Sequence, residues 1–343
     1  MELLKRLSEA AGIPGHEAEI RAIVREALED DVDAIETDHL GNLIAHKKGT
    51  GPVVAVAAHM DEIGFLVSHI EKETGFLRVQ PYGGFDPKTL ISQRVIVHTE
   101  SGELLGCIGS KPIHLLTEEE RKKMPELKDL FIDLGLSPEA VKERVSVGDM
   151  VTLRQDFLAY ENVISGKALD DRVGVYIGIE AIKRAKKIAC DLYFIGTTQE
   201  EVGLRGARVA GFAVRPDIGI ALDVTLAADM PEIPEAQQVT RFGKGVAIKL
   251  SDSASISHLG LVKAMRRLAE ARKIPYQLEI LPRGGTDAGA LQMAQEGAAV
   301  ITLSLPTRYV HSVVETAHRD DLEAAISLLA AFLETADQVD LAL

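Results

Sequence analysis

His59 closes a run of small and branched apolar residues, Pro52 to Ala58, and is followed at once by Asp61 and Glu62. Glu200 and Glu201 follow a second apolar run, Asp191 to Thr198, and Asp223 closes a third, Ile218 to Leu222. Asp170 and Asp171 precede a helical stretch, and His311 comes after a fourth run, Ala298 to Leu305. Two imidazoles with several carboxylates make a nitrogen and oxygen donor set that suits zinc and also admits cobalt or manganese. One carboxylate can bridge two ions through its two oxygens, and ions held roughly 3.5–4 Å apart activate a water between them. Of the adjacent Glu200 and Glu201, one could then ligate while the other takes the proton from that water. Taken singly, each residue has an ordinary structural use. Asp170-Asp171 reads as a helix N-cap, Asp61 as a turn residue, and Glu200-Glu201 as a solvated loop. Their coincidence at the ends of buried runs favours convergence, because ligands of open α/β sheets bind outside the carboxyl ends of the strands.

The elements that must position these residues alternate in type. Glu17 to Asp30 has apolar residues at helical spacing, Leu40 to Ala45 reads as a short strand, and Pro52 to Ala58 reads as a strand buried on both faces. From Phe65 to Tyr160 the texture becomes short alternating segments, among them Phe76 to Gln80, Arg94 to Thr99, Leu104 to Ile108 and Met150 to Leu153. A charged, helix-prone stretch from Thr117 to Arg144 interrupts them. From Ala168 strands and helices alternate again, with helices expected over Asp171 to Lys187, Leu259 to Arg272 and Asp320 to Ala336. The predicted class is α/β: a mainly parallel sheet sandwiched by helices, with an inserted smaller β-rich domain. The expected division is 1–64 with 162–343 for the α/β domain and 65–161 for the insertion.

Composition removes several alternatives. The 343 residues are 46% hydrophobic and 26% charged, in the ordinary globular range. A net charge of -14 argues against a nucleic-acid partner and against docking on an anionic membrane. Two distant cysteines, Cys107 and Cys190, build neither a disulfide framework nor a cysteine-rich zinc site. Met1 to Gly15 reads as an amphipathic helix and then a break with Gly12, Pro14 and Gly15, without a signal-peptide core, and no apolar run nears the roughly 20 residues of a membrane span. The expected location is the cytoplasm.

In order along the chain, Ala58-His59-Met60-Asp61-Glu62-Ile63-Gly64, Ala168-Leu169-Asp170-Asp171-Arg172, Gln199-Glu200-Glu201-Val202-Gly203 and Ala221-Leu222-Asp223-Val224 resemble the tetrahedral (TET) aminopeptidases. These are clan MH metallopeptidases that include glutamyl and deblocking aminopeptidases. Gly284 to Ala288 and Thr307 to Ser312 extend the resemblance. It implies a zinc-peptidase catalytic domain, interrupted by a β domain that mediates dimerisation, and dimers assembled into a hollow dodecamer. It implies that His59, Asp170 and Asp223 hold one metal, and that Asp170, Glu201 and His311 hold the other, with Asp170 bridging. Glu200 is the implied general base, and Asp61 the residue that orients His59. A cis peptide between Asp170 and Asp171 is also implied. The implied partners are peptides with a free N-terminus. The Gly284–Ala288 loop is given no catalytic role, and Arg308 and Tyr309 are expected near the site because they flank His311.

Two rivals share these residues. A two-metal deacylase or amidase of small N-acyl substrates keeps the site and changes the substrate, as would an endoglucanase-like hydrolase. Glycoside hydrolysis usually needs two metal-free carboxylates, whereas the resemblance commits these to cations. A non-catalytic assembly protein would be marked by a lost ligand or base, and each is present.

Overall fold

In the computed structural model, which describes residues 1–342, strand Val53–His59 lies in the middle of an 11-stranded sheet. Val54, Val56 and Ala58 point to one face and Ala55 and Ala57 to the other, and both faces are covered. This is why the segment carries no polar alternation. Strand Asp191–Thr197 pairs with it in parallel on one side and Ile218–Leu226 on the other, and Ala299–Arg308 pairs in parallel with the latter. Flanking strands join antiparallel: Leu43–Lys47 beside Asp191–Thr197, and Glu315–His318 beside Ala299–Arg308. The sheet is therefore mixed: parallel at its centre, with antiparallel strands flanking it and a parallel pair, Val246–Ser251 with Tyr276–Ile280, at one edge.

Helices Leu169–Arg184, Leu259–Arg272 and Arg319–Leu333, with the N-terminal helices Glu2–Glu9 and Ala18–Leu28, pack on one face. Arg205–Val214 and Asp287–Gln292 supply Ala210, Ala288 and Leu291 to the other. Between Gly64 and Leu153 six strands close a separate barrel, whose core holds Phe65, Val67, Leu77, Val95, Val97, Ile132 and Val151. Strand Leu158–Tyr160 already belongs to the large sheet.

The charged stretch from Thr117 to Arg144 is not one helical interruption. Helices Glu118–Lys122 and Pro138–Arg144 flank a strand, Leu130–Asp133, which closes the barrel between Leu77–Tyr82 and Gly102–Ser110. Leu130 and Ile132 turn inward and Asp133 outward, a period-2 pattern too short to stand out among charges. The third apolar run also extends past its expected end: strand Ile218–Leu226 continues through Asp223, which is an in-strand residue. Among the described residues no helix is long and apolar enough to cross a membrane.

Candidate metal centre

The parallel registry brings the first residues together. Thr197 pairs with His59, and Ala221 pairs with Ala57, so Asp223 stands two residues further along, level with His59. Immediately after Thr197 the chain turns, and Glu200 and Glu201 lie beside the strand ends. Asp170 arrives from the start of helix Leu169–Arg184, where Asp170 and Asp171 depart from helical backbone angles and the peptide between them is cis. His311 comes from the loop after Ala299–Arg308 and has a positive φ of 62°.

The side chains form two triads that share Asp170. His59, Asp170 and Asp223 offer ligand atoms within 4.8 Å of one another, and so do Asp170, Glu201 and His311. His59 Nε2 lies 3.0 Å from Asp170 Oδ1, while His311 Nε2 lies 3.3 Å from Asp170 Oδ2 and 3.3 Å from Glu201 Oε1. Asp170 thus presents one oxygen to each imidazole, the geometry a bridging carboxylate requires. Glu200 stands alongside, its Oε2 4.0 Å from His59 Nε2. All the residues expected at the site except Asp61 line one cavity of about 230 Å³, together with Thr225, Lys249, Arg283 and Gly284 to Thr286.

Asp61 acts differently from the expectation. His59 Nδ1 meets the main-chain carbonyl of Asp61 at 2.9 Å, whereas the nearer carboxylate oxygen is 3.7 Å away. The carbonyl accepts from Nδ1, which directs Nε2 at Asp170, where its N–H donates in the metal-free centre and its lone pair would be freed for an ion. The carboxylate of Asp61 instead accepts the main-chain N–H groups of Glu200 at 3.0 Å and Glu201 at 3.1 Å. It holds the turn that presents both glutamates.

Burial and crowding dominate the electrostatics. Burial, with Asp223, Asp287 and Glu201 close by, holds Glu200 well above the usual carboxylate range against the pull of His59. Burial and the neighbouring Asp170 do the same to Asp223. Burial would also raise Asp170, but hydrogen bonds from His311 and His59 pull it below the ordinary range. Burial works against a charge on His311, yet its contacts with Asp170 and Glu201 push it up to about 12. Lys249 lines the cavity, but its ammonium lies against Glu279 at 3.2 Å and Asp252 at 3.7 Å. The acidic crowd around Asp170 is therefore only partly offset by the protein's own cations. That crowding, together with the nitrogen and oxygen donors, fits a pair of divalent ions.

Other residues take supporting positions. Gly284 to Thr286 form cavity wall, and the next residue, Asp287, accepts from Thr197 Oγ1 at 2.5 Å, fastening that loop to the strand that leads to Glu200. Arg308 turns away, to Asp229 at 3.1 Å and over the ring of Phe242, while Tyr309 is exposed. Sequence reasoning missed Glu315, which is buried and accepts main-chain N–H groups from both Asp170 and His311. Its only sequence signal is an acid placed four residues after His311 in an otherwise apolar and small-residue segment.

The sequence pattern of the family described as M42 glutamyl aminopeptidase matches residues 41–328. The lysyl aminopeptidase of Pyrococcus furiosus is 39% identical, across 99% of this chain and 98% of that protein. The crystal structure of a TET aminopeptidase from a marine-sediment Thaumarchaeota archaeon superposes with a TM-score of 0.95 at 39% identity, covering 98% of this chain and 96% of that one. The TET1 peptidase of Pyrococcus horikoshii, described as able to assemble into a tetrahedron or a large octahedral shell, gives a TM-score of 0.86 at 35% identity over 96% of this chain and 98% of that one.

Proposed function

Because this chain belongs to the M42 glutamyl aminopeptidase family and is a hydrolase of peptide bonds, we propose that it removes N-terminal residues from peptides through a co-catalytic pair of divalent ions. The observation that carries this reading is the pair of donor triads sharing Asp170. His59, Asp170 and Asp223 would hold one ion, and Asp170, Glu201 and His311 the other. Zinc, cobalt and manganese all fit donors of this type. When bound, such a pair supplies Lewis acidity, acidifying a water and taking up charge from the carbonyl oxygen.

The chain's own residues do the rest. Glu200, beside His59 and in neither donor triad, is free to take a proton from water and return it to the leaving amine. The His59 Nδ1 contact with the Asp61 carbonyl keeps Nε2 directed at the site, and the Asp61 carboxylate keeps the Glu200 backbone in place. The cavity, at about 230 Å³, takes one side chain and its flanking peptide, and its carboxylates would receive a free α-amine. These features support action at a chain end.

In this reading the expected division, 1–64 with 162–343 and 65–161, gives a catalytic and a dimerisation unit, with strand Leu158–Tyr160 joining the catalytic unit's sheet. Dimers would assemble into a tetrahedral dodecamer, supported by the dodecamer and tetrahedron described for the P. horikoshii relative, and the enzyme would work in the cytoplasm. A panel of aminoacyl chromogenic substrates and N-blocked peptides tests the reading, assayed before and after chelation and again with zinc, cobalt or manganese restored. Unblocked substrates should be cleaved, chelation should abolish cleavage, and metal should restore it. Cleavage of blocked peptides or saccharides alone, or activity indifferent to chelation, would overturn the proposal.

A further inference from the structure

We propose that Glu315 is a positioning residue of the metal centre, its two carboxylate oxygens clamping the main chains of Asp170 and His311 so that these two ligands are fixed against each other. The inference rests on the two-metal reading above. Asp170 N–H donates to Glu315 Oε2 at 3.0 Å, and His311 N–H donates to Glu315 Oε1 at 2.7 Å. Glu315 is 2% exposed, so neither bond competes with bulk water. Each oxygen serves a different ligand, on segments separated by 145 and 4 residues from the clamp.

The fold explains why this position can do so. Glu315 opens strand Glu315–His318 and pairs with Gly166, the last residue of strand Val163–Gly166, which runs directly into Asp170. The same residue lies just beyond the loop that carries His311. It therefore stands where the two ligand-bearing segments pass. His311 also needs support: its φ of 62° is a conformation that residues other than glycine seldom take. The bond from its N–H holds that conformation and with it the direction of the imidazole.

A carboxylate is the side chain suited to this task, because it accepts at both oxygens. Glutamine offers one acceptor and turns donors towards the second N–H. The arrangement has a parallel on the other side of the centre, where the Asp61 carboxylate accepts the N–H groups of Glu200 and Glu201. A third carboxylate of the same kind, Asp321, accepts the N–H groups of Gly243 at 2.8 Å and Gly245 at 2.6 Å, away from the metal centre. It provides a matched control.

The test uses the full chain in its native assembly, with wild type, Glu315→Gln, Glu315→Asp and Asp321→Asn stripped of metal and titrated with cobalt(II) against a chromophoric chelator. Wild type should bind two ions. Glu315→Gln should bind one of them about 10- to 100-fold more weakly, the usual cost of losing support behind a ligand. Its cobalt absorption spectrum should change, and excess cobalt should restore much of its kcat. Glu315→Asp, which keeps two acceptors one methylene short, should fall between, and Asp321→Asn should bind both ions as wild type does. Native affinity and spectrum in Glu315→Gln would overturn the inference. So would an equal loss in Asp321→Asn, or an activity loss that excess metal does not repair. If Glu315→Gln does not fold by circular dichroism, Glu315→Asp decides, and native affinity in it overturns the clamp. A wild-type chain that binds no ion pair removes the two-metal reading itself, a result distinct from any of these.

Discussion

Replacing Glu200 by Gln separates proton transfer from every other feature of the centre. The backbone of Glu200 is held by Asp61 independently of its side chain, so the turn should persist in the variant. The side chain is 11% exposed and is in neither donor triad, so the ions should persist as well. Loss of a positioned general base typically costs 10²- to 10⁴-fold, which at about 1.36 kcal/mol per tenfold is roughly 2.7–5.4 kcal/mol of transition-state stabilisation. Stability should move the opposite way. Glu200 has a folded-state pKa raised above its unfolded value, so at neutral pH its ionised form weakens the metal-free fold. A neutral amide removes that penalty and relieves its repulsion with Asp223 and Glu201. The assay is kcat on an aminoacyl chromogenic substrate, with metal content by elemental analysis and thermal unfolding of the stripped protein. The expected variant holds both ions, melts no lower than wild type when stripped, and has kcat down at least 100-fold. Turnover within tenfold of wild type with both ions bound would refute the assignment of Glu200 as base.

Two further outcomes follow from the same structure. In the metal-free centre His59 and His311 are both raised above the ordinary imidazole value, His311 to about 12, so an entering cation must expel protons. Affinity should therefore fall as pH falls, by about tenfold per pH unit for each proton expelled; competition with a chelator of known pH behaviour between pH 6 and 8 measures this, and a flat profile contradicts it. Away from the site, a Cβ at Gly178 would lie 2.2 Å from Cε2 of the buried Phe194, so Gly178→Ala should destabilise the fold by about 1–3 kcal/mol in denaturant unfolding, and a neutral result would show that the helix can shift on its sheet.

The centre of the sheet was legible because its residues obey one requirement. Val53–His59 and Asp191–Thr197 are largely buried on both faces, so their apolar runs end abruptly at the candidate site residues. Asp223 misled for the same reason. A lone acid after Ile218 to Leu222 reads as a terminator, yet the strand runs on through Val224, Thr225 and Leu226 beside the long strand Ala299–Arg308. Strands Val246–Ser251 and Tyr276–Ile280 were hidden by inward charges. Lys249 and Glu279 are fully buried and sit opposite one another in register, a pairing that makes sense only once the strands are adjacent. The residues proposed as metal ligands could be gathered by motif, because ligation demands particular side chains. Glu315 could not, because what it recognises is backbone, which every residue carries.

That difference bears on how the centre is built. His59 and Asp223 sit on central parallel strands and inherit their positions from the registry of the sheet, with the N–H of His59 further held by Asp171 at 3.2 Å. Asp170, Glu200, Glu201 and His311 lie beyond the regular ladder, where no sheet hydrogen bond fixes them. At each of these loop positions a buried carboxylate takes the main-chain N–H: Asp61 for the two glutamates, Glu315 for Asp170 and His311. Ligands delivered by strands need little extra support, and ligands delivered by loops each have some. Substitutions at these supports should therefore loosen the Asp170, Glu201 and His311 triad, whose members all lie outside the strands. The triad of His59, Asp170 and Asp223, two-thirds built on strands, should tolerate them better.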